Sequence, residues 1–218
     1  MHTIHVIGDS HVGMFFGERN HSSDPMIKTF DQFKVVDMAA GTMAGSTIYG
    51  LANEKSEIQA ATKIKKIISN GIENVVMVLG EVDVRWHIRT HRAGRSLEEA
   101  VVEVIIRYED FVRSEVAPKV SGKVILFGGI PYSQEYVKEI CPTEKLSEYT
   151  NCFDNKIAEM TKRNGWHSIH VLDSLDLVDG HIKKDMLLDD VHLDCKKTQP
   201  LLMKKLDEIF GPIVLTGR

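Results

Sequence analysis

Cysteine is scarce in this chain: Cys141, Cys152 and Cys195 are the only three in 218 residues, with no Cys-x-x-Cys spacing. An odd, scattered set excludes a disulfide framework and fits reduced thiols in a cytoplasmic protein. Proline is also rare, with six residues. No stretch rich in Pro, Gly and Ser divides the sequence, so it reads as one domain over residues 1–218. No apolar run approaches the roughly 20 residues that span a bilayer, which argues against a membrane role. The start, Met1-His2-Thr3-Ile4-His5-Val6-Ile7, enters a strand-like pattern at once and lacks the regions of a signal peptide. Positive charge is not in excess: 27 Lys+Arg against 31 Asp+Glu leave a net charge of −4, so no basic field points to nucleic acid. Internal repeats and low-complexity segments are absent too.

What remains is ordinary globular composition, 43% hydrophobic and 27% charged. A chain of this length buries roughly 70–75% of its unfolded surface. Short β-branched apolar runs at Thr3–Ile7, Lys34–Met38, Asn74–Leu79, Lys123–Phe127 and Ser168–Leu172 predict five strands. Helical periods fill the spaces between them. Ser56–Ser69 carries Ile58, Ala61, Ile64, Ile67 and Ile68 on one stripe, closed by Asn70-Gly71. Ser96-Leu97-Glu98-Glu99 opens a second helix as a capping box, with Pro118 beyond its end. Thr143–Asn164 and Lys196–Ile209 complete the set. Alternation of this kind predicts an α/β fold, a central five-stranded parallel sheet between two helical layers. Ligands of such sheets sit outside the carboxyl ends of the strands, so chemistry is sought there.

The first strand ends in Gly8-Asp9-Ser10-His11. A Ser at a strand-to-helix turn faces the crevice, where a helix N-terminus favours developing negative charge. Ser10 is therefore a candidate nucleophile if a base lies within reach, and otherwise a turn residue. The base candidate lies in Leu188-Asp189-Asp190-Val191-His192-Leu193. Asp189, three residues before His192, can hold the imidazole Nδ1–H and leave Nε2 to take a proton from Ser10. Asp185 and Asp194 nearby leave open an acidic loop that binds a cation. Cys195, beside Lys196 and Lys197, is a weaker nucleophile candidate, since it has no orienting pair of its own.

In order and spacing these motifs resemble the SGNH (GDSL-type) hydrolases, a family of esterases and deacylases on a flavodoxin-like three-layer fold. The resemblance runs from Gly8 to Leu193. It implies Ser10 as nucleophile and Asp189 and His192 as its partners in a triad. It also implies an oxyanion hole formed by the backbone N–H of Ser10 and of a second-motif glycine. Ala44-Gly45-Ser46-Thr47 best matches that motif, so the role falls on Gly45, with Gly41 in reserve; a plain turn is the alternative for both. The third motif departs from the family. Gly80-Glu81-Val82-Asp83-Val84-Arg85 places Val82 where the family has an oxyanion-donating Asn. The sequence looks like a variant branch in which another donor serves, Arg85 first and His87 second. A Glu81–Arg85 ion pair of structural value is the competing reading.

Arg85, His87, Arg89, His91, Arg92 and Arg95 follow without apolar periodicity and read as a loop or lid. Over an ester site such a lid favours an anionic or hydroxylated substrate; otherwise it is a solvated connector. Asp9, His11, Gly41, Glu81, Asp83 and His87 border the motifs and are the candidate substrate contacts. By resemblance the substrate is a small-molecule or carbohydrate ester, with O-acetyl removal first. An acyltransferase and a non-catalytic binding domain are the alternatives. No cofactor or metal is implied.

Overall fold

The computed structural model describes residues 1–19, 24–37, 43–53, 56–92, 94–140 and 146–211. All five expected strands form: β1 (His2–Gly8), β3 (Phe33–Asp37), β4 (Asn74–Val78), β5 (Val124–Phe127) and β6 (His167–Ile169). They pair in parallel in the order β3-β1-β4-β5-β6. This is the doubly wound 2-1-3-4-5 order of flavodoxin-like sheets, and its direction reverses between β1 and β4. A sixth strand, β2 (Met26–Thr29), was not anticipated; it lies antiparallel on the β3 edge. The sheet therefore has six strands instead of five. β2 alternates half-buried and exposed residues, and only four residues of pattern are too few to stand out from a loop. A two-stranded ribbon, β7 (Leu177–Val178) with β8 (His181–Ile182), was missed for the same reason.

The helices are α1 (Ile48–Leu51), α2 (Ala60–Ile67), α3 (Ile88–Thr90), α4 (Leu97–Phe111), α5 (Gln134–Ile140), α6 (Leu146–Asn164) and α7 (Cys195–Phe210). The capping box of α4 forms as read: Ser96 Oγ accepts from Glu99 N–H, and the Glu99 carboxylate accepts from Ser96 N–H. Every residue of β4 and β5 is buried, as strands covered on both faces must be. Their side chains alternate between layers. Val75, Met77, Val124 and Leu126 pack with α2, α4 and α6, whereas Val76, Val78, Ile125 and Phe127 pack with α7 and the turn Ser10–Phe15.

The arginine-rich segment departs from expectation. It is helical through Asp83–His87 and α3 instead of a loop. Val84 and Ile88, one turn apart, are 1% and 2% exposed. Two buried anchors hold the turn to the core, and so short a stripe leaves no period to read. The Asp83–His87 turn is wide, with Ile88 N–H donating to the Asp83 carbonyl five residues back. It follows Gly80, whose φ of +119° favours glycine; a Cβ there would come within 2.4 Å of the Phe153 ring.

Phe153, on α6, is fully buried and fills the space that Gly80 leaves. Phe153→Ala should destabilise the fold by about 3–5 kcal/mol, read as a lower urea midpoint at unchanged slope.

Candidate active site

Ser10 opens a short 3-10 turn, Ser10–Phe15, directly after β1. The site therefore stands at the reversal of strand order. Asp9 caps this turn by accepting from His11 N–H at 2.9 Å. The same carboxylate oxygen is 2.9 Å from His11 Nδ1, and His11 Nε2 is 3.1 Å from the Val191 carbonyl. Both ring nitrogens face acceptors, so both must carry protons, and His11 is an imidazolium. Burial opposes that charge. The Asp9 carboxylate, with help from Glu81 and the Val191 carbonyl, outweighs it and raises the His11 pKa to about 9. Asp9 and His11 are 5% and 2% exposed, so both stand behind the nucleophile rather than in the crevice.

Through Val191, the loop carrying His192 is drawn across the turn. Ser10 Oγ lies 2.7 Å from His192 Nε2, although the two are 182 residues apart. His192 Nδ1 lies 2.8 Å from both oxygens of Asp189. Asp189 Oδ1 also accepts from the backbone N–H groups of Val191 and His192, at 3.0 and 2.9 Å. Partial burial works against the Asp189 charge, but these donors prevail and hold its pKa down at about 2. The His192 pKa is lowered by burial first and by the His11 charge second. The His11 ring stacks on His192 with centroids 4.7 Å apart. A carboxylate thus fixes the tautomer, while burial and a neighbouring cation disfavour a proton on Nε2. That is the condition a general base requires.

A guanidinium that sequence reasoning missed completes this contact set. Arg19 Nη1 donates to Asp189 Oδ2 at 3.3 Å, and Arg19 Nη2 is 3.2 Å from His192 Nε2. No motif or period marks position 19.

The second-motif loop is tied to the third motif. Gly45 has φ +75°, in the left-handed region. Thr47 caps α1, accepting from Gly50 N–H at 2.8 Å. Asp83, fully buried, accepts from Ile48 and Tyr49 N–H at 2.7 and 3.0 Å. It is a strut between the third and second motifs. Burial, reinforced by Asp9 and Glu81 and resisted by these two bonds, raises its pKa to about 7. Gly41 lies outside the described residues.

The Glu81–Arg85 pair forms: Nε and Nη2 of Arg85 donate to Glu81 at 2.6 and 3.2 Å, and Nη1 donates to Tyr136 Oη at 3.1 Å. His87 stacks on Tyr49 at 5.3 Å, and burial pushes its pKa down. Arg92 is bonded to Tyr149 and Arg95 to Glu103. These arginines fasten the turn to its neighbours. Asp194 accepts from Lys196 and Lys197 N–H as the cap of α7. The Cys195 thiol is buried, and that burial raises its pKa, which weakens it further as a nucleophile candidate.

A second serine–histidine–carboxylate contact occurs at the end of β6. His170 Nε2 is 2.7 Å from Ser168 Oγ, and its Nδ1 is 2.9 Å from Asp154. Here the serine sits inside a strand and also contacts Thr161 Oγ1, and Asp154 also holds Gly129 N–H. These contacts tie β6 and α6 together.

Three solved structures are similar over nearly the whole chain. An acetylxylan esterase from Geobacillus stearothermophilus superposes with a TM-score of 0.60 at 14% identity, covering 100% of this chain and 97% of its own. A carbohydrate acetylesterase from Sinorhizobium meliloti gives 0.57 at 12% identity over 96% and 99% of the two chains. A GDSL-like lipase from Bacteroides thetaiotaomicron gives 0.56 at 15% identity over 95% and 88%. No family model and no curated protein matches the sequence. Among the described residues, no helix is long and apolar enough to cross a membrane.

The Asp9–His11 pair makes stability depend on pH. Its folded pKa is about 9, raised above the ordinary value near 6.5. Its stabilisation is therefore complete below about pH 6.5 and is lost as pH rises through 9. Urea unfolding of the wild type should show a loss of up to about 3 kcal/mol between those pH values. His11→Phe should be less stable at pH 6.5 and should show a flatter dependence across the same window.

Proposed function

We propose that the protein is a serine esterase that removes a short acyl group, with O-acetylated carbohydrate as the substrate class. The observation that carries this reading is the 2.7 Å contact of Ser10 Oγ with His192 Nε2, backed by Asp189 at 2.8 Å. The names of two similar structures, a carbohydrate acetylesterase and an acetylxylan esterase, support the substrate class.

In this reading Ser10 attacks the ester carbonyl carbon and its proton passes to His192 Nε2. The carbonyl π electrons move to oxygen, and the oxyanion is met by the backbone N–H groups of Ser10 and Gly45. Val82 supplies no side-chain amide. Arg85, clamped by Glu81 and Tyr136, keeps an N–H on each terminal nitrogen beyond those bonds and is assigned the vacant donor role. Collapse of the intermediate expels the alcohol, which takes the proton from His192. Water, deprotonated by the same imidazole, then releases the acid and restores Ser10.

The decisive test is a fluorophosphonate probe read by intact mass. The wild type should gain one adduct, and Ser10→Ala should gain none. An unlabelled wild type would make the domain a binding module. For p-nitrophenyl acetate, kcat/KM should fall at acid pH as His192 takes a proton. Because the His192 pKa is lowered, that limb should lie below pH 6.5. His192→Ala should lose at least about a thousandfold in kcat. Arg85→Ala should lower kcat about a hundredfold with little change in KM; a change confined to KM would place Arg85 on the substrate instead of the oxyanion.

A further inference from the structure

The catalytic nitrogen is approached by two donors. His192 Nε2 has a single lone pair, yet Ser10 Oγ lies 2.7 Å from it and Arg19 Nη2 lies 3.2 Å from it. Once Nε2 takes the serine proton, it becomes an N–H on a cation. It would then face a second cation at the same distance, with no acceptor between them. The resting position of Arg19 therefore opposes the step that the proposed esterase must perform. An event that draws the guanidinium aside would favour it.

Three features indicate what that event is. Arg19 is only lightly held here: its contact with Asp189 is 3.3 Å, and its side chain is 24% exposed. Asp189 does not need it, since the carboxylate keeps both backbone N–H bonds and the imidazole without Arg19. A cavity of about 390 Å³, lined by Arg19 with Glu18, Leu188 and Lys196 among others, gives the guanidinium a place to turn. A partner able to compete for it must accept hydrogen bonds and carry negative charge, because it must outweigh a carboxylate.

We propose that Arg19 is a specificity-determining residue: it receives an anionic group, a carboxylate by preference, borne by the substrate near the scissile ester, and that capture releases Nε2 of His192 for the serine proton. The inference rests on the esterase reading and narrows it to acyl esters of acidic molecules, such as acetylated uronic acids. The other charged groups that face His192 are Asp189 on the Nδ1 side and the stacked His11 with its Asp9 partner. His11 keeps its proton well above neutrality, so neither changes charge across the acid limb.

The test compares kcat/KM for phenyl acetate with that for 3-acetoxybenzoate and 4-acetoxybenzoate, which add only a carboxylate. The wild type should prefer at least one acetoxybenzoate by about tenfold to a hundredfold, and added salt should weaken the preference. Arg19→Gln should bring the ratio to near parity, and Arg19→Lys should restore part of it. In Arg19→Gln the acid limb for phenyl acetate should also move up by about one pH unit, because a cation has left the imidazole. A packing role alone would move neither the ratio nor the limb. A wild type that takes the fluorophosphonate but shows no preference overturns this proposal alone, as does an Arg19→Gln variant that keeps it. A wild type that hydrolyses no ester and takes no label overturns both this proposal and the esterase reading.

Discussion

The imidazolium of His11 joins two distant parts of the chain. One nitrogen is bound to Asp9, at the end of the first strand, and the other to the carbonyl of Val191, beside His192. Such a pair is costly to bury unless each charge is bonded. Here the partners are satisfied, and the pair has two effects. It sets the distance between the nucleophile's turn and the loop that carries the base. Its positive ring, stacked on His192, also discourages a second proton there. Position and basicity both draw on this one contact.

Around it lies a concentration of buried charge. Asp9, Glu81 and Asp83 are each no more than 5% exposed, and His11 and Arg85 counter them. Among the described residues, no cation is bonded to Asp83. It relies on two backbone N–H groups, and its pKa rises to about 7 under burial and the neighbouring carboxylates. The acidic residues of the third motif are thus directed inward. Asp83 braces the start of α1 and Glu81 braces Arg85.

Much of this was legible in the sequence for one reason: strands buried on both faces are written as unbroken apolar runs, and the residues after them fall at one edge of the sheet. Ser10, Asp189 and His192 could be named because a hydroxyl, an imidazole and a carboxylate make sense together only at that edge. The edge strand Met26–Thr29 could not be read, being short and exposed on alternate residues. The turn at Asp83–His87 was hidden because only Val84 and Ile88 anchor it. His11 was noticed, but its role was not, since a buried pair and a substrate contact are spelled with the same letters. Arg19 left no trace at all: a guanidinium acts through where its long side chain reaches, and reach has no periodicity.

The separation of Ser10 from His192 has a consequence for how the proposed chemistry is held together. Helix α7 packs its Leu202 and Leu206 into the same core as Val12, Phe15 and Phe16, and Gln199 bonds the Phe15 carbonyl. The turn that carries the serine is thus clamped by a helix that begins just beyond the imidazole. Loosening that clamp would part the two groups while the sheet stayed whole, so in the esterase reading a packing fault alone would leave a folded but silent copy.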